Sequence, residues 1–277
     1  MRRTVLAIGT SMMVAGAAWA QDADQAKQEA AMAEKATELA KAAQNPVANM
    51  NSIPVQFNWY TGGGLEEETQ SVINVQPVLP LPIDADWNLI SRTVVPIVNL
   101  PGPGTERIKG IADIQEQIYL TPAKPKGVIW GFGPIFSFPT STNPATETGQ
   151  FGLGPTFVAL KISKTWVYGA LVNNIWRVAG SETTTPINNF FLQPFINYNL
   201  KRGWAISTAP AITANWNAPS GQEWTVPIGL GVSKITMVGK QAMNILLQYY
   251  HNIERPDNAG ADQVRMQFTL LYPKEKP

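Results

Sequence analysis

Apolar and polar side chains alternate with a period of two along most of the chain after residue 52. The clearest stretch is 189–200, where Phe190 and Leu192 alternate with Asn189 and Gln193. Successive side chains of a β-strand point to opposite faces, so this stretch has one apolar and one polar face. Strands of about ten residues with such faces are typical of transmembrane β-barrels. The same pattern recurs at 223–233, 243–249 and 263–272.

Other segments alternate less regularly but also indicate strands. They lie at 53–60, 70–80, 86–98, 111–120, 127–138, 150–161, 165–177 and 203–216. The whole set gives about twelve strands, an even number as a closed bacterial barrel requires. A soluble β-sandwich also alternates, so the alternation alone does not distinguish the two folds.

The connectors between these segments favour the barrel, because long and short ones alternate. The long set is 61–69, 100–110, 139–149, 179–188, 217–222 and 251–262. The short set is 82–85, 121–126, 162–164, 201–203 and 237–240. Long external loops opposite tight periplasmic turns are typical of an up-and-down outer-membrane barrel, whereas Greek-key sandwiches have no reason to keep this parity. We therefore predict an all-β fold, a closed antiparallel transmembrane barrel of about 12 strands with both termini in the periplasm.

Prolines inside the predicted strands oppose this assignment, since each removes a hydrogen bond from the sheet. They are Pro77, Pro96, Pro134, Pro155, Pro194, Pro210 and Pro227. We expect them at bulges or where lumen water satisfies the free carbonyl.

The N-terminal fifty residues differ from the rest. Arg2 and Arg3, an uncharged apolar stretch and the sequence Ala18-Trp19-Ala20 have the layout of a cleaved secretory signal peptide at 1–20, with an uncleaved anchor as the alternative. Residues 21–50 form an Ala-rich leader, interpreted as a short periplasmic helix or as a solvated, disordered segment. The barrel is then expected over 51–277.

Composition agrees with a membrane barrel. Charged residues make up only 15% of the chain, and there are 9 Trp, of which several lie at strand ends, where membrane interfaces favour them. Aromatic caps on a soluble core are the alternative. There is no cysteine and the net charge is +1, so disulfides and thiolate metal sites are excluded and no nucleic-acid partner is expected.

Polar side chains on the non-lipid face are the candidate pore lining. They are Asn74, Gln76, Asn88, Arg92, Asp113, Gln115, Gln117, Arg177, Gln193, Asn197, Glu223, Asn244, Gln248, Arg265 and Gln267. A wall of amides lowers the cost of removing a polar solute from water, whereas amides bonded to one another would plug the barrel instead. If Arg92, Arg177 and Arg265 cluster, an anionic or aromatic carboxylate is the favoured solute.

Other chemistry has weaker support. Glu66, Glu67 and Glu68 in the first loop are a solvated charge run or a recruiter of cations that bridge lipopolysaccharide. His251 is the only histidine, and a hydrolase would need a serine beside it. We expect no enzyme activity, no cofactor and no metal site.

Several sequence stretches resemble a known family. They are 44–48, 53–56, 74–80, 86–93, 130–134, 152–156, 192–195 and 224–228. Together they are similar to the bacterial outer-membrane family named for the MetA pathway of phenol degradation, whose members are often mislabelled neuromedin U. The stretch Gly110-Ile111-Ala112-Asp113 departs from that family's Gly-x-Gly-Asp pattern.

The resemblance implies a Gram-negative outer-membrane transporter or channel for small molecules, with an unassigned substrate. Lipopolysaccharide and outer-membrane lipid, the barrel-assembly machinery and a small solute are the expected partners. A structural or adhesion-type barrel with a plugged lumen is the alternative function.

Overall fold

The computed structural model describes residues 25, 27–63, 68–102, 106–239 and 241–272. The predicted signal peptide, Glu66 and Glu67 lie outside these ranges. One helix, α1, covers residues 27–43, and fifteen strands follow it. The strands are β1 (Asn51–Thr61), β2 (Gln70–Val75), β3 (Val78–Pro82), β4 (Trp87–Pro101), β5 (Arg107–Ile111), β6 (Ile114–Pro122), β7 (Val128–Phe138), β8 (Gln150–Ile162), β9 (Trp166–Gly180), β10 (Asn188–Asn199), β11 (Trp204–Thr208), β12 (Ile212–Asn215), β13 (Trp224–Val238), β14 (Gln241–Glu254) and β15 (Asp262–Tyr272).

The strands form one closed antiparallel barrel. Consecutive strands pair around the wall, and β1 pairs with β15 from Asn51↔Tyr272 to Thr61↔Asp262, which closes the sheet on itself. Three wall strands are each broken into two segments, β2 with β3, β5 with β6, and β11 with β12, so the fifteen segments make twelve wall strands. The predicted fold class is confirmed. Among the described residues, no helix is long and apolar enough to cross a membrane.

The strand breaks explain most of the prolines. Pro77 and Pro210 lie in two of the breaks, and Pro194 lies opposite the break that contains Pro210. Pro227 lies at a register shift between β13 and β14. At the third break, the carbonyl of Pro96 accepts a hydrogen bond from the Ala112 amide. The bulged wall expected from the sequence is therefore present, and Pro134 and Pro155 face each other across β7 and β8.

The connectors keep the predicted parity with one change. The segments 83–86, 123–127, 163–165, 200–203 and 239–240 join strands at one end of the barrel, and the other connectors lie at the opposite end. The predicted bounds of loop 100–110 were wrong, because β4 continues to Pro101 and β5 begins at Arg107. Apolar and polar residues do not alternate cleanly there, so the periodicity did not reveal the extra pairing.

Helix α1 packs against the end that carries the short turns. Its Ala40 is buried against Met50, Ile235, Ala242 and Leu271. Met50 ends the linker 44–50 that joins α1 to β1, and the other three residues lie near the ends of β13, β14 and β15. Alanines on this face permit close approach because they carry only a methyl group, and an added Cβ on Gly203 would lie 3.1 Å from that of Ala36. The helix interpretation of the leader is confirmed.

Residues after α1 enter the barrel mouth. The side-chain amides of Gln44 and Asn199 exchange two hydrogen bonds, at 2.9 and 3.1 Å. Val47 is then buried in a cluster with inward-facing wall residues from six strands. This apolar floor comprises Val47, Val78, Ile90, Tyr119, Val158, Leu160, Val167, Leu171 and Phe195. The floor and α1 together cover the short-turn end of the lumen.

Candidate functional site: the barrel lumen

Alternation along each strand assigns the inward-facing side chains. Of the predicted pore-lining residues on strands or beside breaks, seven are buried: Gln76, Asn88, Gln117, Asn197, Asn244, Gln248 and Arg265. Asn74, Arg92, Gln115, Gln193 and Gln267 share the inward face and are partly buried. The lumen wall is therefore lined by amides and two arginines, and the lipid-side face alternates with it.

Arg92 is held by amides rather than by a carboxylate. Its Nη1 donates to Gln117 Oε1 at 3.1 Å, and its Nη2 donates to Gln76 Oε1 at 2.5 Å. The Tyr119 hydroxyl donates to the same Gln117 oxygen at 2.7 Å and lies 3.0 Å from Thr156 Oγ1. Tyr119 is on β6 and Thr156 on β8, so this network passes over β7, where inward-facing Gly131 and Gly133 leave room.

Arg265 lies in a second network formed by β1, β11, β14 and β15. Its Nε donates to Asn58 Oδ1 at 3.3 Å, and its Nη1 donates to the Ala209 carbonyl at 2.9 Å and to Gln248 Oε1 at 3.4 Å. Its guanidinium carbon lies 5.0 Å from the centre of the Tyr250 ring. Gln248 also donates to Ser207 Oγ at 3.1 Å. The bonds from Arg265 to Ala209 and from Gln248 to Ser207 join parts of the wall that are not neighbours, so they narrow the lumen at this level.

The remaining predicted residues lie toward the loop end. Asp113 Oδ1 accepts from the Thr140 and Ser141 amides, both at 3.1 Å, and so ties loop 139–149 to the break between β5 and β6. Glu223 Oε2 accepts from the Gly221 amide at 2.7 Å. Arg177 Nη1 donates to the Ser181 carbonyl at 3.0 Å. All three bind loop backbone.

The three arginines hold three different sets of partners, so they do not form the cluster that the sequence hypothesis required. Arg92 binds Gln76 and Gln117, Arg177 binds Ser181, and Arg265 binds a third group.

Sequence reasoning missed several members of these networks. Asn58 and Gln263 are 1% and 3% exposed and hydrogen-bond each other at 2.8 Å. Asn58 stands between Phe57 and Trp59, so the period-two pattern could have placed it in the lumen. The Ala209 carbonyl could not have been found in this way, since any residue type carries that acceptor.

His251 faces outward near the loop end. Its Nδ1 lies 2.9 Å from Asp262 Oδ1, which also accepts from the Tyr249 hydroxyl at 2.6 Å. No serine hydroxyl hydrogen-bonds His251 in the part of the chain that the structure describes. Within the same ranges, no group of three or more His, Cys, Asp or Glu could hold a metal ion.

No protein-family model matches the sequence, and neither does any curated protein. Solved structures do match. The COG4313 outer membrane channel from Pseudomonas putida F1 has a TM-score of 0.59 and 10% identity, over 80% of this chain and 94% of that chain. The NanC porin has a TM-score of 0.52 and 8% identity, over 80% of this chain and 100% of that chain. At these identities the likeness establishes the fold, that of outer-membrane barrels.

Proposed function

We propose that this protein is an outer-membrane channel for small polar or anionic solutes. The observation that carries the proposal is the lumen wall, where amides and two arginines face inward and bind one another. Such a lining offers hydrogen bonds to a solute that leaves bulk water, and exposes no strong negative charge to it. The channel fold of the solved relatives supports the same function.

The sequence resemblance suggests a finer assignment. We propose membership of the outer-membrane family named for the MetA pathway of phenol degradation, with export by a signal peptide, insertion by the barrel-assembly machinery and lipopolysaccharide around the wall. Aromatic acids are then candidate solutes, and the inward-facing amides and arginines form their path.

Conductance in planar bilayers tests the channel function. We expect purified, folded protein to give step-like currents, and liposomes that contain it to swell in some members of a panel of sugars, amino acids and aromatic acids. Heat-unfolded protein is the control. The absence of both current and swelling at every voltage and solute would contradict the proposal.

A structural barrel with a plugged lumen is the second candidate. The apolar floor favours it, because Ile90, Tyr119, Val158 and Val167 are 0% exposed and fill the lumen at that depth. A structural barrel would stay electrically silent even after α1 and its linker are detached from the mouth, whereas a channel would then conduct more.

A further inference from the structure

Arg265 carries a buried charge with no acidic partner. The residue is 4% exposed, and its hydrogen-bond partners Asn58, Gln248 and the Ala209 carbonyl are all neutral. The ion pairs formed among the described residues, such as Arg107 with Glu68, do not include it. Removing a guanidinium from water is costly unless a negative group compensates it. The site therefore favours the arrival of an anion.

One edge of this guanidinium is available. Its Nη2 makes no hydrogen bond to a described residue, whereas Nη1 and Nε do. Within the described residues, every fully buried side-chain nitrogen or oxygen has a partner, so Nη2 keeps some access to solvent on a side chain that faces the lumen. A carboxylate binds the two terminal nitrogens of arginine side by side, and Nη1 and Nη2 present that geometry.

A carboxylate that binds Nη1 must displace the carbonyl of Ala209, which lies in the break between β11 and β12. The peptide of Ala209 is fixed by three lumen side chains from three other strands. Arg265 and Gln193 donate to its carbonyl at 2.9 and 3.3 Å, and its amide donates to the Tyr250 hydroxyl at 2.9 Å. The break leaves residues 209–211 outside both flanking strands. Within this segment, Ala209 is thus held by lumen side chains rather than by the wall ladder.

We propose that Arg265 is a carboxylate-binding site and that residues 209–211 are its gate. In the absence of solute, the Ala209 carbonyl takes the acceptor position on Nη1. A carboxylate that enters the lumen replaces this carbonyl, binds Nη1 and Nη2 together, and releases the segment toward the wall. Asn58 and Gln248 keep the guanidinium oriented during the exchange. The inference rests on the proposed channel function and names its solute class.

Benzoate and benzyl alcohol test the site, because they share a ring and differ in charge. We expect benzoate to bind the folded protein in detergent micelles and to raise the open probability in bilayers, and benzyl alcohol to do neither. Arg265→Gln should weaken benzoate binding by roughly tenfold, because it replaces hydrogen bonds to a charged group. It should also shift the reversal potential in a salt gradient toward cations. Lys234→Gln removes the same charge from the outer face, beside Trp204, and is the matched control.

Tyr250→Phe tests the gate separately, since it removes the acceptor for the Ala209 amide and leaves the charge of Arg265. Without solute, this variant should open more often than the unmodified protein. Heat-modifiable migration in electrophoresis checks that every variant folds. If Arg265→Gln does not fold, the Tyr250→Phe result still tests the gate, and the comparison of benzoate with benzyl alcohol still tests the site.

The outcomes are distinguishable. Equal binding of benzoate and benzyl alcohol, or an unchanged benzoate response in a folded Arg265→Gln, overturns the site. Unchanged opening in Tyr250→Phe overturns the gate. Benzoate binding that depends on Arg265 without any current in any variant supports the site and contradicts the channel function.

Discussion

At the scale of single residues, Glu116 stands out on the outer face of the wall. Glu116 lies on the same face of β6 as Ile114 and Ile118, which face lipid, whereas its neighbour Gln117 is buried on the inner face. Two hydroxyls from β4 satisfy it: Ser91 Oγ donates to Oε1 and Thr93 Oγ1 donates to Oε2, each at 2.6 Å. A charged group on the lipid face destabilises a barrel unless it is paired, so these hydroxyls compensate the carboxylate.

Removing the hydroxyls should therefore cost more than removing the charge. We expect Ser91→Ala with Thr93→Val to lower the unfolding free energy by about 1–3 kcal/mol, because it leaves a desolvated carboxylate without donors. Urea unfolding of protein inserted in phospholipid vesicles, followed by tryptophan fluorescence, measures the change. Adding Glu116→Leu to the double variant should restore most of the loss. An unaltered midpoint in the double variant would show that the hydroxyls do not stabilise Glu116.

At the scale of the strands, inward-facing glycines allow neighbouring strands to approach each other closely. A Cβ on Gly154 of β8 would overlap the backbone carbonyl of Asn174 on β9, and one on Gly231 of β13 would overlap that of Leu247 on β14. No side-chain rearrangement relieves such an overlap, because the obstructing atom is backbone. Glycine is needed here for close approach rather than for an unusual backbone angle.

Gly154→Ala should consequently destabilise the barrel. The expected cost is about 1–3 kcal/mol or more, since β8 and β9 must separate to admit the methyl group. Gly102→Ala is the control, because its added Cβ would lie 3.2 Å from the Glu106 carbonyl in a short loop. Urea midpoints of the two refolded variants give the comparison. Equal midpoints would mean that the wall adjusts at Gly154 without cost.

Most of the wall could be predicted from sequence, and the reason is local. Where one face of a strand meets lipid, as at Phe190 and Leu192, the polarity of each residue indicates which face of the wall it occupies. The prolines indicated an irregular wall, but the position of Ala209 in its break could not be predicted, because its carbonyl binds Arg265, 56 residues away in the chain. The lumen networks could be predicted only in part. Alternation places Arg92 and Arg265 inside, but only the three-dimensional contacts show that they are separate.

At the scale of the whole molecule, α1 and the apolar floor cover one mouth while polar networks narrow the middle. The floor draws on Val47 from the linker as well as on wall residues, so covering the mouth and packing the lumen are coupled. The packed face of α1 is largely alanine, and its opposite face is polar. Because alanine buries little apolar area, a single charge on this face should be enough to release the helix.

Ala40→Glu places that charge where it is least tolerated, since Ala40 is 3% exposed against Met50, Ile235 and Leu271. A buried carboxylate without a donor costs several kcal/mol, so α1 should detach while the closed wall persists. Trypsin should then cleave rapidly after Lys41, whose side chain is 13% exposed in the packed state, and bilayer currents should rise. Met32→Glu is the control, because Met32 is 70% exposed on the same helix and should change neither property. Slow cleavage after Lys41 in folded Ala40→Glu would mean that the helix is held by the linker instead, with Gln44 and Asn199 as its principal anchor.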